Sequence, residues 1–291
     1  MEHSYHSLKT TFVKNGEVKL HVRLGGSGPP LMFLHGFPDF SYSWRHQLPA
    51  FVGDNQVILP DLRGYHKSDK PKGVKQYGLS TLAADVIAIL DDLEIEKTSL
   101  VGHDWGGGVA WTTAALYPER IERLIILNMP HPDEFRKQIF LNPRQFLRSY
   151  YALLFQLPKL PEWYFSKNPK WFFNTVFKKR SLKPEAITEE DINIYMAAYE
   201  DLETWEATIN YYRAFFRYPY QPRPLPKIKV PVGLVWGEGD LALGKELTFK
   251  TGDYCENYMG IRYIKEASHW LQHEFPDEVN EGIHYFLTWK E

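Results

Sequence analysis

The stretch Leu100-Val101-Gly102-His103-Asp104-Trp105-Gly106-Gly107 places an aspartate between glycines two positions before and two after it. This is the glycine-x-nucleophile-x-glycine form of a strand turning sharply into a helix, with aspartate where serine is common. Glycines there remove Cβ clashes from the turn. The central side chain is exposed at a helix N-terminus, which stabilises a carboxylate. Capping of a helix that starts at Trp105 is the plainer alternative for Asp104. As a nucleophile, a carboxylate attacks saturated carbon and forms an alkyl ester, which water must then cleave at the carboxyl carbon. That second step calls for a base, a group to orient it, and donors for an oxyanion.

Candidates for each follow in chain order. His269, in Glu266-Ala267-Ser268-His269-Trp270, comes after the last predicted strand and is the expected base. His273, four residues on, could pair with it on a metal, but no third ligand is apparent. Asp240, in Trp236-Gly237-Glu238-Gly239-Asp240, directly follows a core strand and can accept the histidine Nδ1–H. Glu238 is its nearest rival, a simple turn aspartate is the alternative, and Glu274, Asp277 and Glu278 read as surface groups. The expected oxyanion donors are two backbone N–H groups. Trp105 supplies one, and Phe37, in His35-Gly36-Phe37-Pro38, supplies the other.

Alternating strands and helices must hold these groups. Thr10–Lys14 and Val18–Leu24 flank Asn15-Gly16, a pair suited to a tight hairpin. Leu31–Leu34 and Gln56–Leu59 read as buried strands, and Thr98–Gly102 and Glu122–Asn128 as further strands. Ser41–Phe51 and Trp105–Tyr117 read as helices. Ser80 is the expected cap of a helix whose Leu82, Val86, Ile89 and Leu93 share one face. From about Asp133 to Tyr220 the pattern is amphipathic helices separated by proline turns, with no convincing strand. A stiff return through Pro219, Pro222, Pro224, Pro226 and Pro231 leads back to strands at Val232–Trp236 and Gly260–Ile264 and a closing helix at Pro276–Trp289. The β-α-β order predicts a mostly parallel sheet with helices on both faces, an α/β class. The expected division is 1–132 and 222–291 for this core and 133–221 for an inserted helical cap. Glycines 25, 26 and 28 read as a turn rather than a phosphate loop, because Pro29-Pro30 and a strand follow them.

The motifs His35-Gly36-Phe37-Pro38 and Gly102-His103-Asp104-Trp105-Gly106-Gly107, with Asp240 and His269, resemble those of the α/β-hydrolase-fold epoxide hydrolases, including the soluble ones. The likeness runs from about residue 10 to 288. It implies hydrolysis of an epoxide to a vicinal diol without metal or organic cofactor. It also implies two tyrosines of the helical cap that hydrogen-bond the epoxide oxygen. Tyr150-Tyr151-Ala152-Leu153-Leu154-Phe155-Gln156 resembles the first tyrosine segment, with Tyr151 matching. Asn210-Tyr211-Tyr212-Arg213 resembles the second, with Tyr212 matching. Helical spacing independently groups Trp205, Ile209, Tyr212 and Phe216 and turns Tyr211 away. Cap packing is the alternative role for each tyrosine. The loop Asp61 to Ser68 resembles the family's Arg-Gly-Tyr turn, but His66 stands where a small residue is usual. Haloalkane or haloacid dehalogenases share an aspartate nucleophile, yet favour Asn at the Phe37 position or Arg at the Trp105 position. A catalytically silent hydrolase fold that only binds is a third reading, and the complete Asp104, Asp240 and His269 set weighs against it.

Composition sets the outer bounds. The 291 residues carry 34 Lys plus Arg against 36 Asp plus Glu, a net charge of −2 that offers no electrostatic argument for nucleic acid or anionic membranes. The single cysteine, Cys255, cannot form an internal disulfide, so a reducing compartment is expected. No apolar run reaches the ~20 residues of a membrane span, and Met1 to Thr10 lacks a signal-peptide core. The expectation is a cytoplasmic monomer or homodimer acting on a small apolar epoxide, unless an anchor lies outside this chain. Aromatic residues are 15% of the chain. About half of the 45 fall between Phe135 and Tyr220, which predicts an apolar tunnel.

Overall fold

A computed structural model describes residues 4–218 and 222–290. Eight strands form one sheet in the order β1-β2-β4-β3-β5-β6-β7-β8, where β1 is Lys9–Asn15, β2 Val18–Gly25, β3 Pro30–Leu34, β4 Gln56–Pro60, β5 Thr98–His103, β6 Ile121–Leu127, β7 Ile228–Gly237 and β8 Cys255–Ile264. The hairpin β1-β2 and the pair β2-β4 are antiparallel. All other pairs are parallel. Every residue of β5 is buried, as expected of a central strand covered on both faces. After β3 the chain crosses to β4 on one side, and β5 then returns to the other side of β3. The crevice at the carboxyl ends of strands where the order reverses is the natural binding place of such sheets.

Two local expectations are corrected. Ser41–Phe51 is helical but not one α-helix: a 3₁₀ helix at Ser41–His46 is followed by a short α-helix at Leu48–Phe51. Pro49 sits near the start of that helix, where its missing N–H costs nothing; within a continuous helix its ring would collide with the preceding turn. Ser80 is not the cap of its helix. The helix starts at Leu79 with Gly78 as the preceding residue, so Ser80 lies inside the first turn. Leu82, Val86 and Ile89 of that helix are buried as the spacing predicts. The glycine turn after β2 is closely packed: a Cβ on Gly26 would lie 2.2 Å from the Asn55 carbonyl oxygen.

Between β6 and β7 the chain runs through helices at Pro132–Leu141, Pro143–Arg148, Tyr150–Leu154, Leu160–Lys167, Pro169–Phe173, Glu189–Ala198 and Leu202–Arg217. Proline occupies the first or second position in four of them, where it starts a helix and stops the one before it. Thr188 and Asp191 form a reciprocal capping box on Glu189–Ala198. The buried rings of Phe173, Phe177, Tyr195 and Trp205 knit these short helices together. The segment is tied to the sheet layer through Tyr42 Oη, which donates to Asp191 at 2.9 Å, and through Tyr211 Oη, which donates to the Arg63 carbonyl at 2.7 Å. Pro219, Tyr220 and the expected boundary at 221 lie outside the described residues. No helix among the described residues is long and apolar enough to cross a membrane.

Candidate active site

The segments that follow β3, β5, β7 and β8 meet at one cavity. Asp104 sits between β5 and the helix Trp105–Leu116 with φ 49° and ψ −126°. A non-glycine residue held at positive φ stores about 1–3 kcal/mol of strain, which the surroundings must hold in place. The glycines show how. A Cβ on Gly102 would lie 2.6 Å from the Gly106 carbonyl, and one on Gly106 would lie 2.2 Å from the Leu34 carbonyl. Strand, turn and helix therefore pack backbone against backbone. Gly36 approaches Asp104 as closely, since a Cβ there would sit 2.3 Å from the aspartate Cβ. Asp104 makes no side-chain cap to its helix, so the capping alternative is not what the structure contains.

The Asp104 carboxylate is held from two sides. Phe37 N–H donates to Oδ1 at 2.8 Å, and His269 Nε2 lies 3.4 Å from Oδ2. Trp105 opens the following helix, so its N–H belongs to the first turn, which has no carbonyl partner within the helix. His269 Nδ1 donates to Asp240 Oδ2 at 2.7 Å. Asp240 in turn accepts Ala242 N–H at 2.7 Å and Leu243 N–H at 2.9 Å on Oδ1. Glu238 points elsewhere, pairing with Lys245 at 2.6 Å. His273 is likewise apart from this group, bonded to Asp39 at 3.1 Å.

The electrostatics follow from this wiring. Burial would push the Asp104 pKa up, but the hydrogen bond and charge of His269, with His103 and the Phe37 N–H, hold it below its ordinary value. Burial alone would lower the His269 pKa. The Asp240 and Asp104 carboxylates outweigh it and raise the imidazole to about 10. On the opposite wall, burial first, then Tyr151 and Asp104, raise the Tyr212 phenol well above its usual value. Burial and Asp104 raise Tyr151 too, against the Arg180 guanidinium 5.6 Å over its ring. Both phenols therefore keep their protons at neutral pH and can donate.

A cavity of about 530 Å³ lies between these walls, and Phe37, Asp104, Tyr151, Tyr212 and His269 all line it. Its lining is mostly aromatic and aliphatic. Tyr212 stands edge-on to Trp105 at 5.0 Å, to Phe37 at 5.4 Å and to Phe155 at 4.8 Å. Its neighbour Tyr211 faces away, toward Arg63. Tyr150 also reaches the cavity, from its half-exposed rim.

Three positioning residues escape a reading of the motifs. Asn128, at φ 39° just after β6, donates to Asp240 Oδ2 at 2.8 Å and accepts Gly237 N–H at 2.8 Å. Asparagine directly after a buried strand is the one available signal, because it tolerates positive φ. His103 is neutral, its pKa lowered to about 4 by burial, and its Nε2–H donates to the His269 carbonyl at 2.8 Å. Glu274 corrects an expectation: it is fully buried rather than a surface group. It accepts Ser268 N–H and Oγ–H, each at 2.6 Å, and Leu182 N–H at 3.1 Å. One carboxylate thus braces the His269 loop against the helical segment. His66 adopts φ 44° and donates to Asp61 at 2.9 Å, so this residue fits the turn through a local hydrogen bond.

Comparison with known proteins agrees with this fold. Epoxide hydrolase 4 of Mus musculus is 40% identical over 281 residues, covering 94% of this chain and 78% of the relative. The AB hydrolase superfamily protein YfhM of Bacillus subtilis is 38% identical over 285 residues, covering 96% of this chain and 98% of the relative. A crystal structure of a Bacillus megaterium epoxide hydrolase variant, complexed with its naphthyloxy-propanediol product, superposes with a TM-score of 0.84 at 31% identity, covering 96% of this chain and all of that one. A family model described as the alpha/beta hydrolase fold matches residues 29–276. With an eight-stranded, mostly parallel sheet and an aspartate on its strand-to-helix turn, the chain belongs to the α/β-hydrolase fold family.

Proposed function

We propose that this protein hydrolyses an apolar epoxide to a vicinal diol through a covalent ester on Asp104. One observation supports this above all: an ionised carboxylate, a histidine and two protonated phenols line a single apolar cavity. Relatives named epoxide hydrolase, and a structural neighbour that holds a diol product, point the same way. In this reading residues 133–221 act as the cap and residues 1–132 and 222–291 as the hydrolase core.

Tyr151 and Tyr212 hydrogen-bond the ring oxygen while Asp104 attacks a ring carbon. The C–O bond breaks, the ring oxygen takes a phenol proton that the His269 imidazolium replaces, and a hydroxyalkyl ester forms. Forming the ester also consumes one of the two carboxylates that keep the proton on His269. Its pKa therefore falls, and the imidazole becomes a base, still oriented by Asp240. Water then loses a proton to His269 and attacks the Asp104 carboxyl carbon. The oxyanion lies between the N–H groups of Phe37 and Trp105. Collapse expels the alkoxide, which takes the histidine proton and leaves as diol, and the Asp104 carboxylic acid then passes its proton to His269, restoring the ion pair.

A single turnover in heavy-oxygen water tests the path. One heavy oxygen is expected in the peptide that contains Asp104, and the first diol released should carry none. Label in that diol with none in Asp104 would mean direct attack of water on the epoxide. His269→Gln is expected to accumulate the ester, visible as protein mass increased by that of the epoxide.

A further inference from the structure

Residues 136–183 hold eleven of the chain's 34 Lys and Arg residues and one of its 36 Asp and Glu residues. That single acid, Glu162, is buried against Arg213 and shows no charge to the outside. The same segment forms the mouth of the cavity. Tyr150, Leu154, Leu157, Leu160, Tyr164 and Trp171 line the cavity, yet each exposes 43% or more of its surface. An exposed apolar rim of this kind marks a contact surface rather than an ordinary monomer face.

The helix Leu160–Lys167 shows how the two features combine. It buries Pro161 and Glu162 and turns Leu160 and Tyr164 to the cavity rim. Lys159, Trp163 and Lys167 follow each other at four-residue spacing, and Trp163 N–H donates to the Lys159 carbonyl at 3.1 Å. Trp163 and Lys167 therefore share one exposed helical stripe, and the exposed Lys159 stands at its start with φ 63°, so cations flank an exposed aromatic. Farther along, Lys170 and Lys178 face Glu189, whereas no carboxylate pairs with Lys159, Lys167 or Lys179 among the described residues.

We propose that this rim docks on the surface of an anionic lipid bilayer, with Trp163, Leu160 and Tyr164 dipping into the acyl boundary and the lysines among the headgroups. A bilayer meets both demands of the surface, apolar contact and negative charge. A second copy of the chain would set cations against cations. Docked this way, the cavity opens toward the lipid, and an apolar substrate enters without crossing water. That last step rests on the epoxide-hydrolase reading; the docking does not.

Co-sedimentation of the intact protein with vesicles tests it without any substrate. Vesicles of phosphatidylcholine with about one-third phosphatidylserine should bind, and raising salt to about 0.5 M should release the protein. Lys159→Glu with Lys167→Glu should weaken binding about thirtyfold or more, and Trp163→Ser severalfold, with thermal melting unchanged. Turnover of a small water-soluble epoxide should also be unchanged in these variants, because none of the three residues lines the cavity. Equal binding to phosphatidylcholine alone overturns the proposal, as does no binding to either vesicle. Variants that dissociate a dimer without changing vesicle binding overturn it in favour of a second copy. Vesicle binding by a protein that turns over no epoxide leaves the docking standing and removes the proposed reaction.

Discussion

On the sheet side of the cavity, polar groups are held by directed bonds. Asp104, His269 and Asp240 form a chain of contacts of 3.4 and 2.7 Å, and Asn128 and two backbone N–H groups complete Asp240. On the helical side, Tyr151 and Tyr212 are held by ring edges 4.8 to 5.9 Å apart. A hydrogen bond fixes direction as well as distance, whereas edge-to-face ring packing tolerates tilt. Angles therefore matter most for the sheet-side groups, and the looser side can accept substrates of different shape. Removing the reacting carboxylate on the sheet side should therefore cost more activity than removing either single phenol on the helical side.

The largest step is Asp104→Ala. Diol formation is expected to fall by about 10⁴-fold or more, with thermal melting close to that of the parent protein. Next come Tyr212→Phe and Tyr151→Phe, each removing one proposed donor to the ring oxygen. Steady-state kinetics should show kcat down about 10²–10³-fold with KM little changed, since the ring stays in place. A fall as large as that of Asp104→Ala in either single variant would break the contrast.

Asn128→Ala tests the sheet side indirectly. It should reduce kcat about tenfold and shift the alkaline limb of the pH profile, because Asp240 then orients the imidazole less well. A purely structural Asn128 would lower the melting temperature and leave that profile unmoved. The smallest effect concerns stability and pH. The folded pKa of His269 is raised from 6.5 to about 10, so its ion pairs contribute fully below about pH 6.5 and fade as pH rises through about 10. The melting temperatures of the parent and His269→Gln should therefore differ most near pH 6 and converge near pH 10.5.

Spacing and turn chemistry made much of the fold legible. Strand-helix alternation announced the sheet, and prolines marked the helical segment, because period and proline act within a few residues. Asp104, Phe37 and Trp105 belong to local motifs for the same reason. His269 and Asp240 needed only their positions after predicted strands. Glu274 was unreadable, because its partners at 182 and 268 are far apart or unremarkable in sequence, and a lone glutamate is usually exposed. The cationic run at 136–183 can be counted in the sequence, but only the fold sets it around the cavity mouth.

The amino-acid order by itself determined which groups could react and the strained turn that presents one of them, since glycine spacing and backbone sterics are local. Only the tertiary structure decided that Asn128 completes Asp240 and that Glu274 braces the His269 loop. Each depends on burial and direction between distant segments, which short-range spacing does not encode.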